Sequence, residues 1–385
     1  METVRVLLSF AIVTKATVVL GDVLSAFVKS EVDADVFMSS PEGTPQGKVF
    51  QLKCSLYGLK QAAHLWWQDI HKYLCQELAF KASPFDQCLY VKMMQSRFVF
   101  VLLYVDNLLV ISTSASELEK VFQHLFNCFE IKRASTIEHY LGMNVEVSAS
   151  LIHLSQSSHI IKMLEHFGFD CLKSTPSPYN PSVSIQPACD DSTPCDKQKY
   201  QSAIGALLWC ARITQPDIMF IVSLLSQYQY SPTMTMKHWG AVKHVMWYLS
   251  GTVQHGITLT GFTTVSLSIY SDSSYADAQQ GIASTSGFFS FLGSLPVSWM
   301  SMKQPVIAQS SAEAEFIAAA EAVKEGIWLQ HLVSSVAEVC NVPMTPLFHL
   351  KIDSCACITM IEREGTHHSQ TKYIDVQYHF LHAHN

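Results

Sequence analysis

The chain has 385 residues, enough for two or three domains, and its 49% hydrophobic and 15% charged residues exclude a disordered chain. The net charge of −7 includes no basic surplus in either half, so strong binding to nucleic acid would have to depend on local basic patches. The 11 cysteines contain no C-x-x-C spacing, which favours free thiols in a reducing compartment over disulfides. The close pair Cys355 and Cys357 is a weak candidate for a metal site.

The N-terminal stretch is apolar, but it does not have the pattern of a signal peptide. Lys15 interrupts the apolar run and no small-residue cleavage site follows, so we predict a core helix that leads into a strand at Thr17–Val23. No uninterrupted apolar run is long enough to span a membrane, and we therefore expect no membrane partner.

The next elements are predicted from apolar spacing. A short strand over residues 49–53 precedes a helix over Leu65–Leu78, and strands follow over Phe85–Met94 and Arg97–Ile111. Within the last strand region, VFVLLYVDNLLVIS places the polar pair Asp106–Asn107 between two apolar runs. This pattern predicts a buried β-hairpin with that pair at its turn, and an isolated Asp–Asn pair would indicate nothing more than a turn.

Two helices and a strand follow the hairpin. A helix is predicted over Ser116–Phe129, with Ser116 as its N-cap and Glu119 completing a capping box. The strand HYLGMNVEV comes next, and a further helix is predicted over Ser157–His166.

A proline-rich tether marks the clearest domain boundary, because five prolines lie between Cys171 and Lys199. Residues 200–250 are predicted to be helical. The last of these helices interleaves basic and aromatic side chains, namely Lys237, Lys243, His244, Trp239, Trp247 and Tyr248. Aromatic residues at helical spacing usually belong to a core, so we favour that interpretation over a track for nucleic acid.

The last third of the chain changes to short alternating strands, SLSIYSD, STSGFFSFLG and PVSWMSM. An alanine-rich helix over Ala312–Val333 follows, and the capping box Ser310-x-x-Glu313 marks its start. A strand over Leu347–Ile352, a short helix and a closing helix near Tyr373–His382 complete the pattern.

Several motifs, in this order, resemble the Pol region of copia-type LTR retrotransposons. Asp22 in LGDVLSAF, the motif SLYGLKQA and the central hairpin resemble a reverse transcriptase palm. SSAEAEF and TKYIDVQYHF resemble a copia-type ribonuclease H domain, and the order of three antiparallel strands, helix, strand and helices is that of the ribonuclease H fold.

The resemblance, which covers almost the whole chain, implies a multidomain α+β fold. Its parts would be a truncated reverse-transcriptase palm, a helical connection and a C-terminal ribonuclease H-like α/β domain. The expected boundaries are reverse transcriptase over 1–170, tether over 171–199, connection over 200–262 and ribonuclease H-like domain over 263–385.

The resemblance also assigns site residues in the polymerase half. Asp22 and Asp106 would be catalytic and bind metal. The nucleotide-binding positions would be Phe27, Tyr57 and Gly58, and the primer grip would be Tyr140, Leu141 and Gly142.

Three departures from the family pattern lead us to expect loss of polymerase activity. Asn107 replaces a carboxylate, and an amide oxygen binds a divalent ion more weakly. Ala63 and His64 replace a usual proline and arginine. The sequence starts just before the first palm strand, so we expect the upstream strands of the fingers to be missing.

In the C-terminal half, the resemblance assigns a metal-binding quartet of acids. Asp272 would end the first strand, Glu315 would lie in the first turn of the long helix, Asp353 would end the fourth strand and Asp375 would open the last helix. The neighbouring Ser274, Tyr275 and Ser354 depart from the family pattern without being metal ligands.

The implied activity is RNA-directed DNA polymerisation together with hydrolysis of the RNA strand of an RNA–DNA hybrid. Both reactions use two Mg²⁺ ions, with Mn²⁺ as an alternative, held by converging carboxylates. The implied partners are an RNA template, the RNA–DNA hybrid and DNA, in the cytoplasm or nucleus. The alternative is a decayed or host-retained protein that binds nucleic acid without catalysis.

Overall fold

The computed structural model describes residues 1–44, 47–95, 97–134, 136–148, 150–169, 174–180, 185, 195–230, 235–275, 283–345 and 347–362. The chain divides into two compact units. We call Leu7–Leu141 the N-terminal unit, and Met1–Val6 together with Gly142–Asn385 the C-terminal unit. Most of the predicted tether and the predicted closing helix lie outside the described residues, and the four predicted domain boundaries remain predictions.

The N-terminal unit is a mixture of helices and strands, as predicted. In chain order its elements are α1 (Glu2–Thr14, the first residues of which are grouped with the other unit), β1 (Thr17–Val23), a 3-10 turn (Ala26–Lys29), β2 (Phe37–Ser39), β3 (Val49–Gln51), α2 (Ala62–Lys72) with a π-helical extension (Tyr73–Glu77), β4 (Lys81–Ala82), β5 (Leu89–Met94), β6 (Arg97–Tyr104), β7 (Asn107–Ser112), α3 (Ala115–Phe129), β8 (Ile131–Arg133) and β9 (His139–Tyr140). Its main sheet has the strand order β4-β5-β6-β7-β1-β8.

The hairpin of β6 and β7 confirms the central prediction but corrects the position of its turn. Tyr104 pairs with Asn107, so the two-residue loop is Val105–Asp106 and Asn107 is the first residue of β7. The strands are buried on both faces, and Val101 contributes to the cluster that also contains Trp66. Such burial on both faces explains the nearly continuous apolar run in the sequence.

The start of α3 differs from the predicted capping box. Ser114, not Ser116, is the N-cap, and its side chain accepts no capping hydrogen bond. Glu119 forms an ion pair with Arg133, at 2.5 Å, instead of reaching back to the helix start. The helix is held by its apolar face, where Leu118 and its neighbours are buried in the core.

The C-terminal unit contains an antiparallel sheet, a mixed sheet and several helices. In chain order its elements are β10 (Met143–Val147), β11 (Leu151–Ser155), α4 (Ser157–Phe167), α5 (Lys197–Ile213), a 3-10 turn (Pro216–Ile218), α6 (Met219–Ser226), α7 (Met236–Gly251), β12 (Gly256–Thr260), β13 (Leu267–Ser274), β14 (Thr285–Leu292), β15 (Leu295–Lys303), α8 (Ser311–Cys340), β16 (His349–Ile352) and α9 (Cys355–Glu362). The chain thus has the predicted α+β, multidomain character.

The strands of this unit form two sheets. β12 pairs with β11, which pairs with β10, all antiparallel. The second sheet has the order β15-β14-β13-β16, in which β13 and β16 run parallel. The predicted succession of three antiparallel strands, a long helix and a returning strand is therefore present.

Helix α8 packs closely against the second sheet because small residues face it. A Cβ atom on Gly326 would lie 2.6 Å from Ile269 Cδ1 and 2.8 Å from the Phe348 ring, so only glycine fits the contact without displacement. At the helix start, Ser310 Oγ accepts from Glu313 N at 3.2 Å as predicted. The Glu313 carboxylate accepts from Gln309 N at 2.7 Å instead of the N-cap amide, so the box forms only in part.

The aromatic residues of α7 belong mainly to the helical core, as favoured. Trp239 and Tyr248 are buried in the cluster formed by α4 to α7, whereas Trp247 is half-buried. The cysteines within the described ranges are all free thiols. No helix in the described part of the chain combines the length and apolarity needed to cross a membrane.

Candidate functional site

The first cluster of predicted site residues lies at one end of the N-terminal sheet. Strand β1 lies between β7 and β8, and Asp22 is opposite Asn107 on one side and Lys132 on the other. Directly opposed residues of antiparallel strands share a face, so these three side chains point the same way. The backbone amide of Val23 donates to Asp106 O at 2.8 Å, which ties the hairpin turn to the same strand.

The electrostatics of this cluster differ from those of three converging carboxylates. The pKa of Asp22 is raised, first by partial loss of water and then by the negative charge of Asp106, while Lys132 lowers it. Asn107 Nδ2 donates to Asp106 Oδ1 at 2.9 Å. The amide thereby occupies a carboxylate oxygen that would otherwise be open to a cation, and it supplies no negative charge of its own.

The turn that carries Asp106 is strained. Val105 has φ +58°, in the left-handed region that β-branched residues rarely adopt. Trp66 Nε1 donates to Val105 O at 2.6 Å, and Trp66 itself is fully buried. A hydrogen bond from a fixed indole therefore holds the strained backbone in place.

The predicted nucleotide-binding residues lie together. The rings of Phe27 and Tyr57 have centroids 4.7 Å apart, with Phe27 half-buried and Tyr57 exposed. Gly58 follows with φ +100°, so the chain turns sharply beside the exposed ring. The predicted primer-grip residues form a turn, because Leu141 (φ +49°) and Gly142 (φ +75°) are both left-handed and follow the buried Tyr140.

The second cluster, the carboxylate triad, consists of Asp272, Glu315 and Asp353 in the C-terminal unit. One oxygen from each carboxylate lies within 4.8 Å of the others. The parallel pairing of Ser271 with Ile352 explains two of them, because Asp272 and Asp353 follow these residues on adjacent strands. Helix α8 supplies the third from its side of the sheet.

Two details of the triad differ from the sequence predictions. Asp272 lies inside β13, two residues before its end, and pairs with Gly287. Glu315 is the fifth residue of α8 and therefore lies in its second turn. The fourth predicted acid, Asp375, lies outside the described residues.

Glu315 has the most distinctive surroundings in the triad. Its side chain is buried, and its Oε1 accepts from Ser273 N at 3.2 Å and from Ser273 Oγ at 2.9 Å. Its Oε2 is buried and has no hydrogen-bond partner among the described residues. The pKa of Glu315 is raised, above all by burial and further by the charges of Asp272 and Asp353, although Ser273 lowers it.

These surroundings fit a bound cation. A buried carboxylate oxygen without a donor, next to two further acids, is costly unless a positive charge compensates it. Carboxylate oxygens are also the ligands that hard divalent cations prefer. The triad can therefore hold a divalent metal.

Two residues of these clusters were not anticipated from the sequence. Lys132 comes next to Asp22 only through the pairing of β1 with β8, and Ser273 meets Glu315 only because α8 approaches β13. For Ser273 the sequence offers one signal, its position directly after a predicted acid.

Comparisons with known proteins find relatives among reverse transcriptases and retrotransposon Pol proteins. A sequence model of the family "Reverse transcriptase (RNA-dependent DNA polymerase)" matches residues 1–180. The retrovirus-related Pol polyprotein from transposon RE1 of Arabidopsis thaliana is 30% identical over 383 residues, which cover 98% of this chain and 25% of the polyprotein. The putative transposon Ty5-1 protein of Saccharomyces cerevisiae is 31% identical over 314 residues, covering 79% of this chain and 99% of that protein.

Among solved structures, that of a foamy viral protease-reverse transcriptase in complex with dsDNA aligns with 97% of this chain and 68% of the viral chain. The TM-score is 0.46 and the identity 12%. The chain spans about a quarter of the length of the plant Pol polyprotein that it matches.

Proposed function

The chain belongs to the copia-type retrotransposon Pol family, and on that premise we propose that its C-terminal unit hydrolyses the RNA strand of an RNA–DNA hybrid. The observation that supports this proposal is the triad of Asp272, Glu315 and Asp353, whose oxygens converge within 4.8 Å. The domain division into reverse transcriptase, tether, connection and ribonuclease H-like domain is part of the same proposal.

In this proposal the three carboxylates hold Mg²⁺, or Mn²⁺ in its place. When bound, such ions activate the attacking water and offset the charge on the scissile phosphate. The protein contributes the positions of its ligands. The parallel pairing of β13 with β16 fixes the backbone at Asp272 and Asp353, and the buried helix α8 fixes that at Glu315.

Cleavage of an RNA–DNA hybrid tests the proposal. With Mg²⁺, the full chain should cut the RNA strand, and Asp353→Asn should reduce the rate by at least about 100-fold, because it removes charge from the metal cradle. Glu338→Gln is the matched control, since it removes an exposed carboxylate from α8 far from the triad. Equal cutting by the native and Asp353→Asn proteins would overturn the proposal.

For the N-terminal unit we propose that the polymerase centre binds metal too weakly for efficient synthesis. The supporting observation is the amide of Asn107. It lies opposite Asp22, where it supplies no carboxylate, and it donates a hydrogen bond to Asp106, so Asp22 and Asp106 are the two carboxylates of the cluster. Primer extension on an RNA template should then be no faster than in Asp22→Asn. A rate well above that of Asp22→Asn would contradict this part of the proposal.

Contact with nucleic acid without catalysis is the second candidate function of this unit. It is favoured by the exposed Lys132 beside Asp22 and by the exposed ring of Tyr57. A primer–template duplex should bind with an affinity that Lys132→Gln and Tyr57→Ala lower, while Asp22→Asn leaves it unchanged or higher. Loss of binding in Asp22→Asn would instead indicate a metal-dependent contact.

A further inference from the structure

We propose that Ser273 is a positioning residue of the carboxylate triad, which holds Oε1 of Glu315 so that Oε2 is the oxygen presented to the cation. This inference rests on the proposed nuclease function. Ser273 itself would not be a metal ligand.

Ser273 connects two of the three acids. Its backbone amide donates to Asp272 Oδ1 at 2.8 Å and to Glu315 Oε1 at 3.2 Å. Its hydroxyl adds a second bond to Glu315 Oε1 at 2.9 Å. One residue therefore fixes the relative orientation of carboxylates that come from a strand and from a helix.

The two oxygens of Glu315 have different surroundings, and this difference indicates which of them faces the cation. Oε1 receives two donors from Ser273, whereas Oε2 is buried and receives none from the described residues. Since a carboxylate rotates about its last torsion with little restriction, an unanchored side chain could present either oxygen. The two bonds to Oε1 select one orientation before any cation arrives.

The hydroxyl is the part of Ser273 that substitution can remove. The backbone amide persists in every variant, so deletion of the hydroxyl should loosen Glu315 without abolishing its contact with β13. Side chains that orient metal ligands typically contribute 10–100-fold to metal affinity. We expect an effect near the lower end of that range, about tenfold, because the amide remains.

Two variants whose new side chains have the same shape separate the effect of the Ser273 hydroxyl from the effect of packing. Ser273→Thr keeps the hydroxyl and Ser273→Val replaces it with a methyl group, and both β-branched residues suit a strand. Ser268→Ala is the control for the strand itself, because Ser268 is half-buried on β13 as Ser273 is and lies five residues before it.

The test measures Mn²⁺ binding to the full chain without nucleic acid, by electron paramagnetic resonance. The site lost in Asp353→Asn defines the triad, which separates it from any ion near Asp22. At that site Ser273→Val should bind about tenfold more weakly, while Ser273→Thr and Ser268→Ala should match the native chain. In hybrid cleavage, Ser273→Val should raise the Mg²⁺ concentration needed for half-maximal rate by about tenfold and leave KM for the hybrid unchanged.

The outcomes distinguish the inference from the function on which it rests. Native-like Mn²⁺ affinity in Ser273→Val would overturn the positioning role and leave the nuclease proposal standing. Equal weakening in Ser273→Val and Ser273→Thr, with unchanged melting temperatures, would also overturn it, because the hydroxyl would then be irrelevant. Absence of any Mn²⁺ site sensitive to Asp353→Asn in the native chain would overturn both proposals.

Discussion

Replacement of Asn107 by aspartate should make the stability of the N-terminal unit dependent on metal. In the native chain the Asn107 amide donates to Asp106 Oδ1 at 2.9 Å. In Asn107→Asp two carboxylates face each other at this position, opposite Asp22 on the neighbouring strand. The variant should therefore unfold more easily in a chelator and recover when a divalent ion is added.

The magnitude follows from the distance. Two unit charges 2.9 Å apart repel by about 1.4 kcal/mol at the dielectric constant of water and about 6 kcal/mol at an effective value of 20. The side chains at positions 106 and 107 are half-exposed and can rotate apart, so the lower repulsion energy applies. Loss of the hydrogen bond to the charged Asp106 adds about 1.5 kcal/mol. We expect a total destabilisation of about 2–3 kcal/mol, or roughly 5–10 °C in melting temperature.

The assay is thermal unfolding with EDTA and with Mg²⁺ at the same mildly alkaline pH. Asn127→Asp is the matched control, because it makes the same chemical change at an exposed position on α3. Mg²⁺ should restore most of the loss in Asn107→Asp through binding to the folded state, and it should leave the control unaffected. An equal loss in both variants, or no recovery with Mg²⁺, would refute the reasoning.

Two further predictions concern packing and pH. Gly326→Ala should lower the free energy of unfolding by about 1–2 kcal/mol, since its Cβ would lie 2.6 Å from the fully buried Ile269 side chain. Gly205→Ala, with open space around its Cβ, should raise that free energy by up to about 1 kcal/mol. Chemical unfolding measures both, and the opposite order of stability would contradict the described packing. Burial lowers the pKa of His238, whose Nδ1 accepts from Thr235 N, so stability should be complete above about pH 6.5, the unfolded value, and fall as the pH drops through the lower folded value. His238→Gln, which keeps a side-chain acceptor at the helix start, should remove that part of the melting temperature's dependence on pH, and an unchanged pH profile would contradict it.

The central hairpin shows how far local sequence signals reach. Apolar alternation predicted both strands, but turn propensity placed the loop one residue too late, at Asp106–Asn107. Register is decided by the packed faces, where Leu103 and Leu108 pair and enter the same core cluster. A loop at Asp106–Asn107 would shift every partner by two residues, so that Leu103 would face Val110 instead of Leu108 and the core contacts would have to be remade. The packing of the observed register therefore outweighs the strain at Val105.

In the candidate sites, too, the sequence could predict some residues and not others. Asp272 and Asp353 could be anticipated because strands that resemble a known fold end near them. The role of Ser273 could not, because it depends on how closely α8 approaches β13, which no local pattern encodes. The capping box predicted at Ser116 is absent for a similar reason, a tertiary contact that the local pattern does not encode. The Glu119 side chain forms an ion pair with Arg133 on β8.

The pairing of β11 with β12 has a consequence for the synthesis of the chain. His153 on β11 contacts Thr258 on β12, 105 residues later. One edge of β11 therefore has no partner strand while the intervening residues are synthesised. At about 5–20 residues per second, that edge stays open for roughly 5–20 s. An open strand edge is a template for pairing with other chains. Until residue 260 has emerged from the ribosome, this edge of β11 is therefore open to pairing with other chains.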